Sequence, residues 1–346
     1  MTNDSQAAQT KLGLAALVVP VFFGIMFAAC IIGAYHKPHP NDIKVGVVGP
    51  ATQTAQVRAG LANAAGSAFD IRQSTTVAEA VHAVRQRDLD AAFVPTADPR
   101  QPATVIVANA GGRIVATAAE TLARSVTTAQ GAQLTVREVR PLASGDEIGL
   151  GVFMFLVVCT ICGYITPTIL ETLAPGLVPS RRYPLIAAAA VLVPTFVYLI
   201  GGLGYGTYEG SFATILGFIG IGALYTFALG IGTRLLQALV GPVAILISLV
   251  IFVFLNIASL GATYTPPVMA PFWHFLNHFW IGAATVDAER GLLYFGGLGV
   301  GTAVLKLVAW TAVIVALLLL PVSRRLERTR ETAVPPGAAT PEGAAA

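Results

Sequence analysis

Long runs of apolar residues divide the chain into membrane-like stretches and one stretch of mixed character. The first run covers residues 12–34, and apolar composition returns after residue 147 and continues almost to the C-terminus. A helix of about 20 apolar residues crosses the roughly 30 Å hydrocarbon core of a bilayer. We therefore predict six spanning helices, at residues 12–34, 148–170, 185–205, 212–232, 239–260 and 299–321.

The first run has a second interpretation as a cleaved signal peptide, because Lys11 precedes it. The run is longer than the apolar region of about 7–15 residues that signal peptides carry, and Ile31 and Ile32 stand where a cleavage site needs small residues. We favour an uncleaved anchor. Residues 1–11 then form a cytoplasmic N-terminus.

Residues 36–147 alternate short strand patterns with amphipathic helix patterns. Helices of this length between strands favour crossover connections and a largely parallel sheet. The predicted fold is thus an α-helical polytopic membrane protein with an inserted extracytoplasmic α/β domain. The predicted strands are residues 43–48, 69–72, 91–94, 104–107 and 134–139, and the helices are 53–65, 75–87 and 113–128.

Basic residues in the short loops predict the orientation, because Lys and Arg are retained on the cytoplasmic side. With six spans, both termini are cytoplasmic, and residues 36–147 and 261–298 lie outside. The tail, residues 322–346, is rich in Ala, Pro, Gly and Thr and is predicted to be largely disordered. The cytoplasmic cations are Lys11, Arg181, Arg182, Arg234, Arg324, Arg325, Arg328 and Arg330.

Composition supports a lipid environment and excludes two classes of function. Hydrophobic residues make up 55% of the chain and charged residues 11%, against about 25% charged in soluble domains. The net charge of +3 is spread over loops, which excludes nucleic-acid binding. No phosphate-binding G-x-x-x-x-G-K-[ST] motif occurs, so we expect no nucleotide hydrolysis by that route in this chain. Cys159 and Cys162 lie in an apolar run and are interpreted as helix-packing residues.

Residues 261–298 contain a proline and aromatic segment that we predict to form an outer gate. A short aromatic helix follows two prolines and is too short to cross the bilayer. The histidines are i,i+4 neighbours, which permits metal binding, but no Glu, Asp or Cys nearby completes a ligand shell, so we interpret them as interfacial polar positions. The gate residues are Pro266, Pro267, Phe272, Trp273, His274 and His278.

Two further features of the apolar runs allow more than one interpretation. Lys306 lies within the sixth run, where a central charge costs about 2.5–3.5 kcal/mol. Its ammonium group either reaches out to the interface or lines a substrate path. Glycine clusters at 201–206, 217–222 and 296–301 indicate either tight helix packing or a moving gate.

The order of elements, with one span, a large outer α/β domain and five further spans, resembles the permeases of type-2 ATP-binding-cassette (ABC) exporters. The phage-infection-protein-like bacterial subgroup is the most similar. The likeness covers nearly the whole chain, but each motif is degenerate. The stretches that carry it are 43–48, 78–81, 89–95, 266–273, Asp287 with Arg290, 294–297 and Trp310; residues 276–281 depart from it by lacking a proline.

This resemblance implies a permease subunit in the cytoplasmic membrane of a bacterial type of cell. Its partners are a second permease chain, identical or similar, and a separate nucleotide-binding subunit that holds ATP and Mg²⁺. No cofactor is expected in this chain. A cytoplasmic loop would couple the subunits, unless Arg181 and Arg182 only anchor it to anionic headgroups. The predicted coupling residues are Glu171, Pro175, Pro179, Arg181 and Arg182.

Export of a lipid, drug-like molecule or cell-envelope component is therefore the leading functional hypothesis. The alternative is a non-transporting surface protein whose outer domain binds a partner or a phage. A membrane enzyme is disfavoured, because no carboxylate pair, Ser/His/Asp set or metal cluster gathers at one depth. At about 110 residues, the outer domain is at most half of a two-lobed receptor.

Overall fold

The computed structural model describes residues 17–320 except 19, 97 and 99. Predictions for residues 1–11, for the start of the first span and for the tail at 322–346 lie outside the described residues. The described chain consists of a five-stranded α/β domain and a mostly helical part that contains long apolar helices.

The sheet of the α/β domain has the strand order β2-β1-β3-β4-β5. Three of its four strand pairs are parallel, and β3 pairs with β4 antiparallel, with Phe93 opposite Val105. Eight residues, 95–102, link those two strands. A parallel crossover needs a dozen or more residues, so this short link returns the chain directly. The strands are β1 Ile43–Val48, β2 Phe69–Ser74, β3 Ala91–Val94, β4 Ala103–Val107 and β5 Leu134–Glu138.

Helices cover both faces of this sheet. Helices α2 (Ala51–Ala65) and α4 (Arg113–Ala129) pack on one face over a core that includes Leu61 and Val115. Helix α3 (Val77–Arg85) covers the other face. Thr76 caps α3 by accepting a hydrogen bond from the Glu79 amide, as a residue of this type does at a helix start. The predicted strands and helices of this domain are confirmed to within a few residues.

Within the described residues, four helices are long and apolar enough to cross a membrane, by length and composition. They are α5 Gly151–Leu173, α6 Pro179–Gly204, α7 Phe212–Val240 and α11 Val300–Leu319. The other two predicted spans correspond to shorter apolar helices, α1 Pro20–Tyr35 and α8 Ala244–Ala258. The structure thus confirms a helical chain suited to a membrane, with four of the six predicted spans at full length.

Two predicted loop regions are helical in the structure. Helix α6 begins at Pro179, six residues before the predicted span at 185, because proline fits the first turn of a helix. Helix α7 continues to Val240, so Arg234 lies inside a helix and is buried rather than in a loop. Hydropathy predicts only the apolar part of a helix. Both helices extend beyond that part through polar residues, such as Arg182 and Arg234, whose side chains have partners inside the fold.

The predicted outer gate segment folds into two helices, α9 (Pro271–Asn277) and α10 (Ile281–Tyr294). Trp310, about halfway along α11, donates its indole N–H to the Phe279 carbonyl at 2.9 Å. The junction of α9 and α10 therefore lies beside the middle of α11. The turn into α11 uses Gly296, Gly297 and Gly299 at positive φ, so this glycine cluster forms a turn rather than a helix-packing surface.

The α/β domain is joined to the helical part by side chains and backbone hydrogen bonds. Val268, from the segment before α9, is fully buried in the core of the α/β domain. The His39 amide donates to the Val268 carbonyl at 2.9 Å. Arg87 pairs with Asp287 of α10 at 3.2 Å. Asp146 caps α5 by accepting from the Gly151 amide at 2.9 Å.

Candidate functional site

The predicted coupling loop is built around three charged side chains at the end of the helices remote from the α/β domain. Glu171 of α5 lies 3.5 Å from Arg182 of α6 and 3.1 Å from Arg234 of α7. Both arginine side chains are almost fully buried, with 2% and 5% exposure, while Glu171 is partly exposed. One carboxylate thus ties together three helices.

The same arginine fixes the loop between α5 and α6. Arg182 donates to the Pro175 carbonyl at 2.9 Å, and Pro179 occupies the first turn of α6. Arg181, the next residue in the predicted set, is exposed. The structure therefore brings Glu171, Pro175 and Arg182 together and leaves Arg181 outside the cluster.

This separation bears on the headgroup-anchoring interpretation of the two arginines. A guanidinium group with 2% exposure and a carboxylate partner is not available to bind a lipid phosphate. The buried charges here are the guanidinium groups of Arg182 and Arg234, and removing the carboxylate partner of a buried charge typically costs about 3–5 kcal/mol. Arg182 therefore stabilises the fold of the loop. Of the two arginines, Arg181 is the one exposed to a lipid headgroup.

The predicted outer gate residues divide between the interior and the surface. Trp273 is buried at 7% exposure, whereas its neighbour Phe272 is 56% exposed. Pro266 and Pro267 are half-buried in a helical turn that rests on the α/β domain. The gate segment therefore contacts both the helices and the α/β domain.

The two histidines of this segment lie close together. The ring centroids of His274 and His278 are 4.7 Å apart, and Nδ1 of His278 lies 2.7 Å from the His274 carbonyl oxygen. Burial, and secondarily the neighbouring His278, lower the pKa of His274. Within the part of the chain that the structure describes, no group of three or more His, Cys, Asp or Glu residues is placed to hold a metal ion.

Lys306 is exposed on α11, two turns from the N-terminal end of that helix. It lines a shallow cavity of about 360 Å³ together with Arg87 and Asp287, the pair that joins the α/β domain to α10. A position this near the helix end lets the ammonium group reach a polar surface. The geometry thus favours the snorkelling interpretation.

A buried polar network that the sequence did not reveal crosses the helical core. The Tyr225 hydroxyl of α7 lies 2.6 Å from Thr160 Oγ1 of α5 and accepts from Asn256 Nδ2 of α8 at 2.5 Å. Asn256 Oδ1 accepts from the Gly282 amide of α10 at 3.1 Å. Four helices are thereby linked through fully buried groups. In the sequence, the one sign of this network is that its polar residues interrupt otherwise apolar runs, which does not show that they contact one another.

A second feature that sequence reasoning missed is Glu289 of α10. Its side chain is fully buried, and neither carboxyl oxygen has a hydrogen-bond partner among the residues that the structure describes. Burial raises the pKa of Glu289 well above its ordinary value. The arginine next to it, Arg290, donates instead to the carbonyls of Gly261 and Ala262. Glu289 is therefore a buried acid whose surroundings favour the neutral form over the ionised form.

No family model, no curated protein and no solved structure matches this chain.

Proposed function

We propose that this chain is the permease subunit of an ATP-driven exporter that moves a lipid, drug-like or cell-envelope molecule across the cytoplasmic membrane. It pairs with a second permease chain and with a separate nucleotide-binding subunit that holds ATP and Mg²⁺. The chain crosses the membrane six times, with both termini cytoplasmic and the α/β domain outside.

The observation that carries this proposal is the buried ion cluster of Glu171, Arg182 and Arg234 at one end of the helices. Helix α5 has 23 residues, or about 35 Å at 1.5 Å per residue, which separates that end from the α/β domain by a bilayer thickness. Arginines at this end favour the cytoplasmic side. A cluster that binds three helices to one loop transmits a force on the loop to all three.

The loop region also offers a contact surface for a partner subunit. Leu173 and Val178 are 77% and 49% exposed, and Arg181 is exposed beside them. Apolar residues rimmed by a cation are typical of protein contact sites. We propose that the nucleotide-binding subunit docks here. A non-transporting surface protein needs no such rigid, partly apolar surface on the inner side.

Purification of the tagged full chain from its native membranes after mild crosslinking tests the proposal. We expect an ATPase chain with nucleotide-binding motifs to co-purify, and ATP hydrolysis in the purified complex. Val178→Asp and Arg181→Glu are expected to reduce the recovered ATPase, while Arg124→Glu, on the exposed surface of α4, retains it. Purified chain without any ATP-hydrolysing partner would support the surface-protein alternative instead.

Thiol labelling of the intact cell tests the orientation independently. A cysteine introduced at Thr128 of α4 is expected to react with a membrane-impermeant maleimide, and one at Ser180 only after permeabilisation. Labelling in the reverse order would contradict the orientation, the docking site and the export direction together.

A further inference from the structure

A groove lies between helix α4 of the α/β domain and the chain segments that connect this domain to the helices. Its volume is about 720 Å³. Cavities of about 300–1,000 Å³ are typical of small-molecule sites. On one side α4 contributes residues spaced by three and four positions, which places them on one helix face. On the other side lie residues that immediately precede α5 and follow α1.

The walls of the groove are largely apolar. Its apolar lining residues include Ile114 and Leu122 of α4, together with Phe69, Ile148 and Leu150. Ile148 is 70% exposed, although it is a large apolar side chain. Exposed apolar surface in a concave site indicates a ligand or partner with apolar parts.

The charges of the groove have one sign. The described residues that line it include Arg113 and Arg290 but no Asp or Glu. Arg113 is exposed, and its Nη1 donates to the Glu147 carbonyl at 2.6 Å, which holds the guanidinium group at the rim. That contact uses one of the five N–H donors of an arginine, and the rest suit a phosphate or carboxylate group. The groove thus combines an apolar wall with a cationic rim.

The groove lies where the chain leaves the apolar helices. Ile148 is three residues before the start of α5, and Pro38 is three residues after the end of α1. Under the proposed orientation, this is the outer surface of the membrane. An acyl chain therefore reaches the apolar wall from the outer leaflet, while its headgroup stays in the polar layer.

We propose that this groove binds an anionic amphiphile, a lipid-like molecule with a phosphate headgroup, whose chain lies along α4 and whose headgroup pairs with Arg113. This inference rests on the proposed function and deepens it, because it names the substrate class that the exporter releases at its outer face. The binding itself needs no ATPase.

The test measures protection of a cysteine in the groove. The full chain carrying Thr121→Cys is placed in nanodiscs of phosphatidylcholine with or without phosphatidylglycerol, and its reaction with a water-soluble maleimide is followed by peptide mass spectrometry. Thr128→Cys, on the same helix but outside the groove, is the matched control. We expect phosphatidylglycerol to slow labelling at 121 and to leave labelling at 128 unchanged.

Charge variants test the role assigned to the rim. Arg113→Gln is expected to raise the phosphatidylglycerol fraction needed for half-protection about tenfold, because a charge-assisted hydrogen bond is lost. Arg113→Lys keeps part of the protection, and Arg124→Gln, a cation on α4 that does not line the groove, keeps all of it. Ala118→Trp, which fills the groove, is expected to abolish the lipid effect, while an unchanged melting temperature in the same nanodiscs shows that the chain remains folded.

Three results would overturn the proposal. Equal protection in phosphatidylcholine alone would indicate an uncharged apolar occupant. Protection by inorganic phosphate alone would indicate a free anion. Protection that depends on protein concentration and not on lipid would indicate a second copy of this chain. The two proposals can fail separately. If an ATPase co-purifies but lipid does not protect Thr121→Cys, the exporter proposal remains and the lipid site is rejected. If lipid protects Thr121→Cys but no ATPase co-purifies, the lipid site remains and the exporter proposal is rejected.

Discussion

Glu289 allows the sharpest prediction about stability, because its buried carboxyl group has no partner among the described residues. Burial in the folded state disfavours the ionised carboxylate and so raises the pKa of Glu289 above the ordinary value of 4.5. An acid with a raised pKa binds more protons in the folded state than in the unfolded state. Stability is therefore full below pH 4.5 and falls as the pH rises toward the folded pKa.

The size of this effect follows from the linkage between protonation and folding. One carboxyl group that titrates only in the unfolded state lowers the free energy of unfolding by about 1.4 kcal/mol for each pH unit above 4.5, until the folded pKa is passed. Glu289→Gln keeps the shape of the side chain and removes the titration. This variant is therefore expected to lose that slope and to be more stable than the parent chain at neutral pH.

Thermal unfolding of the purified chain in a neutral detergent, from pH 5 to pH 7, measures both slopes. Glu138→Gln, at an exposed position on β5, controls for the loss of one carboxyl group and is expected to follow the parent chain. A Glu289→Gln variant with the same pH slope as the parent would refute the reasoning, because Glu289 would then be ionised in the folded state.

Three further predictions follow from buried and exposed polar groups. Arg182→Gln is expected to lower the free energy of unfolding by about 1.5–3 kcal/mol, because the buried guanidinium group loses its contacts with Glu171 and the Pro175 carbonyl. Exposed Arg181→Gln is expected to change it by less than about 0.5 kcal/mol. Denaturant titration in detergent distinguishes the two variants, and equal effects would contradict the burial argument. Tyr225→Phe removes the hydroxyl group that accepts a hydrogen bond from Asn256, and it is expected to lower the free energy of unfolding by about 1–3 kcal/mol. The melting temperature should fall accordingly, and an unchanged melting temperature would contradict a stabilising role of the network. Lys306→Met should leave expression and stability unchanged, since its side chain is exposed. It should also leave unchanged the ATP hydrolysis of the complex that we propose. Lost hydrolysis at normal expression would support a role of Lys306 in a substrate path.

The coupling loop illustrates how far the sequence alone carried the site. Residues 171–183 were predicted as one coupling loop, as the resemblance to exporter permeases implies. The structure divides that unit, since Arg182 pairs with Glu171 inside the fold and Arg181 points outward. Adjacent residues of a helix are about 100° apart around its axis, so neighbours in sequence meet different surroundings. The pairing of Glu171 with Arg234 could not be predicted from local sequence, because the two residues lie on different helices.

What the sequence by itself determined is the partition between lipid-like helices and an α/β domain, together with the strands of that domain. These follow from local periodicity and from hydrocarbon thickness, which act on neighbouring residues. Only the tertiary structure decided the antiparallel pairing of β3 with β4, the ion cluster that includes Arg234, and the unpartnered burial of Glu289. Each depends on which distant segments come into contact, and residue type along the chain does not specify that.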